Sequence, residues 1–130
     1  MTLKQALAAL KKGGTAQNRK IYGRHGVTAE MFGVSYALQK KLAREAGTDH
    51  ELAQGLWAFG NHDARILATM VCEPTKYTSR ELDAMVRELG DYVLTDAFSG
   101  VRIEKAVEDL LRLVHRGNRT TWTTVRQSLA

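Results

Sequence analysis

The 130-residue chain is predicted to be all-α, an array of packed helix pairs, and three observations carry that expectation. Apolar residues recur at helical spacing along most of the chain, whereas β-branched alternating runs are nearly absent. Glycines fall between the periodic blocks, as does the one proline, Pro74. Threonines stand three residues before glutamates at two block starts, the spacing at which both side chains satisfy the first free amides of a helix. The length suits one domain over residues 1–130, large enough to bury a core of its own. An irregular helical bundle is the alternative packing of the same elements.

Each element has its own signal. Leu3, Leu7 and Leu10 form the stripe of a first helix over 2–12, which Gly13-Gly14 ends before a second over 15–25. The stretch from Gly26 to Gly33 reads as a connection with Met31 and Phe32 filling the core. Helices follow at 35–46 and at 49–59, the latter opened by Thr48-x-x-Glu51 and striped by Leu52, Leu56 and Phe59. Asn61 caps a helix over 61–73, and Thr78-x-x-Glu81 opens one over 78–89 with Leu82, Met85, Val86 and Leu89 on its apolar face. Asp91 caps 91–99, Gly100 separates it from 103–116 with Val107, Leu110, Leu111 and Val114, and a ninth helix is expected near 120–129. Taken in pairs from 35, units begin near 35, 61 and 91, spacings of 26 and 30 residues. Stacked pairs would present a curved surface lined by the second helix of each, suited to a long partner.

Charge narrows the partner. The net charge is +5, unevenly spread: residues 1–46 carry nine basic and two acidic side chains, residues 47–100 four and nine, and residues 101–130 six and three. Such a chain can offer separated positive surfaces to a polyanion. No apolar run is long enough to cross a bilayer, and the start lacks the uninterrupted apolar core of a secretory signal, so a cytoplasmic protein is expected. The single Cys72 cannot form an internal disulfide and reads as a small buried apolar residue. The four histidines are scattered, with no HExxH, so no metal is implied. Phosphate-loop, dinucleotide and nucleophile-elbow motifs are missing, and no cofactor is implied. At a helix start, His62 and Asp63 read as structural, Asp63 by its favourable interaction with the amide dipoles.

Tyr92-x-x-x-Asp96 is the one arrangement with chemical promise, because residues four apart share a helix face. Asp96 lies among Val93, Leu94, Ala97 and Phe98, where a carboxylate must find donors, pair with arginine or face water, and where apolar surroundings would raise its pKa. A ring and a carboxylate together can steady a cation. Spacing alone favours one packed turn of a helix, since aromatic residues at helical intervals are usually buried.

Several blocks occur in order: Arg24-His25-Gly26, Phe32-Gly33-Val34-Ser35-Tyr36, Leu52-Ala53-x-x-Leu56-Trp57, Gly60-Asn61-His62-Asp63-Ala64-Arg65-x-Leu67-Ala68 and Asp91-Tyr92-Val93-Leu94-x-Asp96. Over about residues 20–100 this resembles the DNA alkylation repair family, the HEAT-like-repeat alkylpurine DNA glycosylases, with 101–130 divergent. The resemblance implies an α-solenoid of HEAT-like helix pairs whose concave basic face holds duplex DNA carrying alkylated purines. It implies excision of N3- or N7-alkylated purines without a deep base pocket, Asp96 stabilising the sugar cation and positioning a water, and Tyr92 contacting the deoxyribose. Arg24, Lys40, Lys41, Arg44 and Arg65 become candidates for phosphate contact or structural pairing. Tyr92 stands where the family pattern has tryptophan, a replacement also found in members that bind DNA without excising bases. The family's further repeats supply another arginine and another aromatic to the site; here the chain runs to Ala130, and the segment from Arg119 to Arg126 does not match those repeats. The expected function is therefore a DNA-binding module of this family, with an active glycosylase as the alternative and a protein-interaction scaffold as a third reading.

Overall fold

The computed structural model describes residues 1–115, apart from the side chains of Tyr92, Leu110, Leu111 and residues 113–115. Among the described residues seven α-helices follow one another: α1 (Leu3–Gly13), α2 (Ala16–Arg24), α3 (Tyr36–Ala46), α4 (His50–Phe59), α5 (His62–Val71), α6 (Ser79–Val86) and α7 (Tyr92–His115), with a 3₁₀ turn at Pro74–Lys76. The expected ninth helix and the Arg119–Arg126 segment lie outside the described residues.

Local chemistry sets most boundaries. Thr2 and Gln5, which the sequence reading passed over, form a reciprocal box at α1, and Thr78 and Glu81 form the expected one at α6. Ser35 caps α3 and Asn61 caps α5, Asn61 accepting from the amides of Asp63 and Ala64. At α4 the expected Thr48 box is replaced by an Asp49 cap, whose carboxylate accepts from Leu52 N–H. The reason is tertiary: Asp49 N–H donates to Val71 C=O at 2.8 Å, tying the start of α4 to the end of α5 and fixing where the helix begins. Gly60 ends α4 in the left-handed conformation, φ 86°.

The largest departure is α7, one helix where two were expected. Gly100 does not break it, because glycine inside a helix costs only about 1 kcal/mol and the apolar face continues in phase across it. Leu94, Phe98 and Val101, spaced by four and three, are all buried in the core.

That core runs from Ala6 and Leu10 of α1 through Leu42, Leu52, Leu56, Leu67 and Val71 to Leu82, Met85 and the α7 residues. Helix α5 is central, packing on α4 and lying between α3 and α7. It is accordingly the most buried helix, with His62, Asp63, Ala64, Ile66, Leu67, Ala68 and Val71 enclosed. Helices α3, α5 and α7 start at 36, 62 and 92, the 26- and 30-residue spacings read from the sequence. The tight pair is α4 with α5, so the unit runs one helix later than counting from 35 suggested: the second helix of that pair, not the first, faces the shared surface.

Cys72 ends α5 as a buried thiol, its Sγ 3.6 Å from the Thr69 carbonyl oxygen. Burial, with the nearby charge of Glu104 adding to it, pushes this thiol up to about 11. Since only the thiolate reacts, alkylation of Cys72 by iodoacetamide near pH 7.5 is expected to run about two orders of magnitude slower in the native protein than after denaturation. Intact-mass time courses check this; equal rates would mean the thiol is not enclosed.

Candidate functional site

A cleft of about 600 Å³ opens along α3, α5 and α7. Its polar lining comes from Tyr22, Tyr36, Gln39, His62, Asp63, Thr69, Asp96 and Glu104, and its apolar walls from Val34, Ile66, Met70, Val93, Ala97 and Val101. On α7 the lining positions 93, 96, 97, 100, 101 and 104 recur at helical spacing, so one face of the helix borders the cleft while Leu94 and Phe98 face the core. Gly100 lies in that row, and no atom stands within 4 Å of where its Cβ would be.

Asp96 is exposed and lines this cleft. Its apolar sequence neighbours divide: Leu94 and Phe98 turn to the core, whereas Val93 and Ala97 line the cleft beside the exposed carboxylate, which faces water. Tyr92 opens α7, and its side chain lies outside the described part of the structure. Asp91 caps the helix, its Oδ1 accepting from Leu94 N–H at 2.8 Å.

The floor is held by α5. Asp63 is 1% exposed and makes no use of solvent: Oδ2 accepts from Phe32 and Gly33 N–H at 2.6 and 3.1 Å, and Oδ1 from Val34 N–H at 2.9 Å. A buried charge needs donors of this number and quality to offset its lost hydration. Sequence reasoning placed Asp63 against the amides of its own helix start; it serves instead the amides of a loop 30 residues earlier, a long-range pairing with no local signal. Gly33 makes the approach feasible, since at φ 81° a Cβ would stand 2.6 Å from the Thr15 carbonyl oxygen. The same loop accepts the Tyr22 hydroxyl, which donates to Val34 C=O at 2.8 Å. Burial, and then the charge of Asp63, raise the Tyr22 pKa, so its phenol stays a neutral donor. Gln39 donates its amide to Asp63 C=O at 3.0 Å, which leaves its buried Oε1 without a partner.

His62, also buried, packs its ring against Tyr22 with centroids 5.7 Å apart and brings Nδ1 to 3.7 Å from Asp91 Oδ2. It therefore lies between α2, α5 and the cap of α7.

The predicted cationic residues divide. Lys40 and Arg44 lie on the exposed side of α3, one and two turns on from Tyr36, and Lys40 Nζ stands 5.5 Å from the Tyr36 ring centroid. Lys41 is exposed further round the same helix, and Arg24 is exposed at the end of α2. Arg65 is engaged elsewhere: its guanidinium lies 4.8 Å from the Trp57 ring centroid, donates to Trp57 C=O and meets Glu88 Oε2 at 2.6 Å, where Trp57 Nε1 also donates. Among the described residues no lysine or arginine lines the cleft, and the carboxylates that do are Asp63, Asp96 and Glu104. Among the described residues no group of three or more His, Cys, Asp or Glu is arranged to hold a metal ion, and no helix is long and apolar enough to cross a membrane.

Helices repeated side by side, with a cleft along one face, define an α-solenoid of short helical repeats. A solved structure described as "a new family of proteins related to the HEAT-like repeat DNA glycosylases with affinity for branched DNA structures" has the same fold. It superimposes with a TM-score of 0.75 over 96% of this chain, at 24% identity and over 55% of its own length. The present chain thus spans about half of that neighbour. No curated protein matches the chain in sequence. The family model described as "DNA alkylation repair enzyme" matches residues 3–124, and the chain belongs to that family.

Proposed function

We propose that this chain binds DNA across the α3–α5–α7 cleft, as a repair-related module of its family. The observation that carries the reading is the pair of exposed cations Lys40 and Arg44, one and two turns along α3 from Tyr36 of the cleft lining, with Asp96 exposed on the α7 side of the same cleft. Cations on the rim suit a phosphate backbone, and a carboxylate-bearing interior repels phosphate, so the backbone runs over α3 while a sugar or base faces the cleft. Lys40 and Arg44 are the first phosphate contacts, with Lys41 and Arg24 beyond them. Arg65 contributes by holding α5 to Glu88 and cannot reach phosphate without giving up that pair. Family membership supports repair-related binding, and the structural neighbour's affinity for branched DNA supports DNA as the partner.

Fluorescence anisotropy with labelled duplex and branched DNA tests this. Each phosphate contact releases counterions and contributes about 0.9 to the slope of log affinity against log salt. The double variant Lys40→Gln/Arg44→Gln is expected to lower that slope by about 2 and to weaken binding to all sequences alike. Binding that ignores salt, or a slope untouched by the double variant, counts against the reading.

Excision of alkylated purines is a second reading, favoured by the exposure of Asp96 in the cleft. In it, the Asp96 carboxylate stabilises the cationic sugar left when the charged purine departs and positions the attacking water, and Tyr92 contacts the deoxyribose. DNA containing 7-methylguanine decides it: the wild type releases base and Asp96→Asn does not. No release by the wild type, or undiminished release by the variant, removes it.

A further inference from the structure

Resting on the DNA-binding reading, we infer that Tyr36 is a base-stacking residue that gives this protein preference for DNA containing an unpaired, unstacked base. Tyr36 is the first residue of α3 and 64% exposed. Exposing so much aromatic surface forgoes burial worth about 25 cal/mol per Å² of apolar area, so the ring is available to a partner. Its position is specific, because it lines the mouth of the cleft that Asp96 borders from α7. Its setting is specific too: Lys40, one turn on, stands over the ring at 5.5 Å, and Arg44 continues the same stripe.

What such a ring can touch in DNA follows from geometry. In a continuous duplex both faces of every base are covered by stacked neighbours, and the surface offers only backbone and groove edges. A tyrosine face is used only where a base has lost a neighbour, as at a bulge, a junction or a single-stranded end. There the ring stacks on the freed base and Lys40 contacts the adjacent phosphate. The interior of the cleft reinforces the division, since its carboxylates and apolar walls refuse phosphate and admit the planar apolar face of a base. The Tyr36 hydroxyl is not needed for stacking, so phenylalanine should serve equally well.

The test compares a paired oligonucleotide with the same duplex carrying a single-nucleotide bulge of 2-aminopurine, by anisotropy and by 2-aminopurine fluorescence. Wild type is expected to bind the bulged DNA on the order of tenfold more tightly than the paired one, with quenching of the bulged base. Tyr36→Phe retains both effects; Tyr36→Ala brings the ratio to near one and abolishes the quenching, while its salt slope on paired DNA stays that of wild type. Equal wild-type affinity for the two DNAs, or a ratio unchanged in Tyr36→Ala, overturns this inference and leaves DNA binding standing. Failure of the wild type to bind either DNA overturns both.

Discussion

Asp63→Asn is expected to destabilise the protein by about 3–5 kcal/mol, a large share of the roughly 5–15 kcal/mol that holds a domain folded. The carboxylate accepts from three backbone amides with both oxygens, Phe32 and Gly33 on Oδ2 and Val34 on Oδ1. An asparagine side chain has one acceptor oxygen, so in either orientation its NH₂ points at a backbone N–H and leaves that donor buried and unpaired. No water can repair the fault where the residue is 1% exposed. The damage is not local. The loop that Asp63 gathers also receives the Tyr22 hydroxyl, accepts Thr15 N–H at Gly33 C=O, and leads into Ser35, the cap of α3. Releasing it frees the wall that carries Tyr36 and Lys40. Urea unfolding followed by circular dichroism measures the loss, and a shift below about 1 kcal/mol would show that the amides find other partners.

Phe98→Ala is expected to cost a similar amount, about 3–5 kcal/mol, by a different mechanism. Phe98 is 1% exposed and is the largest fully buried side chain in the described structure, its ring 5.8 Å from that of Trp57. Truncation removes the transfer energy of an aromatic ring and leaves a cavity that Leu94, Val101 and Trp57 cannot close without moving α7. For a chain of this size the melting temperature should fall by roughly 10–20 °C. Asp96→Asn, two residues away but exposed, is the internal control and should change stability by no more than about 0.5 kcal/mol. If the two variants melt alike, α7 is not held by Phe98. Because α7 carries Asp96 on one face and Phe98 on the other, the pair separates loss of a helix from loss of a chemical group.

The comparison of Asp96 with Asp63 shows what a sequence can and cannot reveal about a site. Asp96 was found because it stands one turn from an aromatic and in a run that resembles a family, both properties readable along the chain. The same reading left open whether its carboxylate pairs with a cation, finds donors or faces water, and the helix decides it: Leu94 and Phe98, two residues to either side, face the core while Asp96 is exposed. Asp63 was seen and assigned to its own helix start, because the loop it serves lies 30 residues away. Arg65 and Lys40 looked alike as candidate cations for phosphate contact. Only packing separates them, one clasped by Glu88 and Trp57 and the other standing beside an exposed tyrosine. Tyr36 entered only as the last residue of one family block, with nothing along the chain to mark its exposure.

The sequence by itself determined the elements: helical periodicity, glycine stops and capping side chains act within four or five residues, and so six of the seven described helices, the caps Asn61, Thr78 and Asp91 and the 26- and 30-residue spacing could be read directly. It also determined the family, since ordered blocks of residues survive independently of how they are arranged in space. Tertiary structure alone decided that α7 runs unbroken through Gly100, that α5 is the buried centre, and which faces of α3 and α7 border the cleft. Those outcomes depend on contacts between residues far apart in the chain, where packing and the pairing of buried charge outweigh the local preferences that a sequence records.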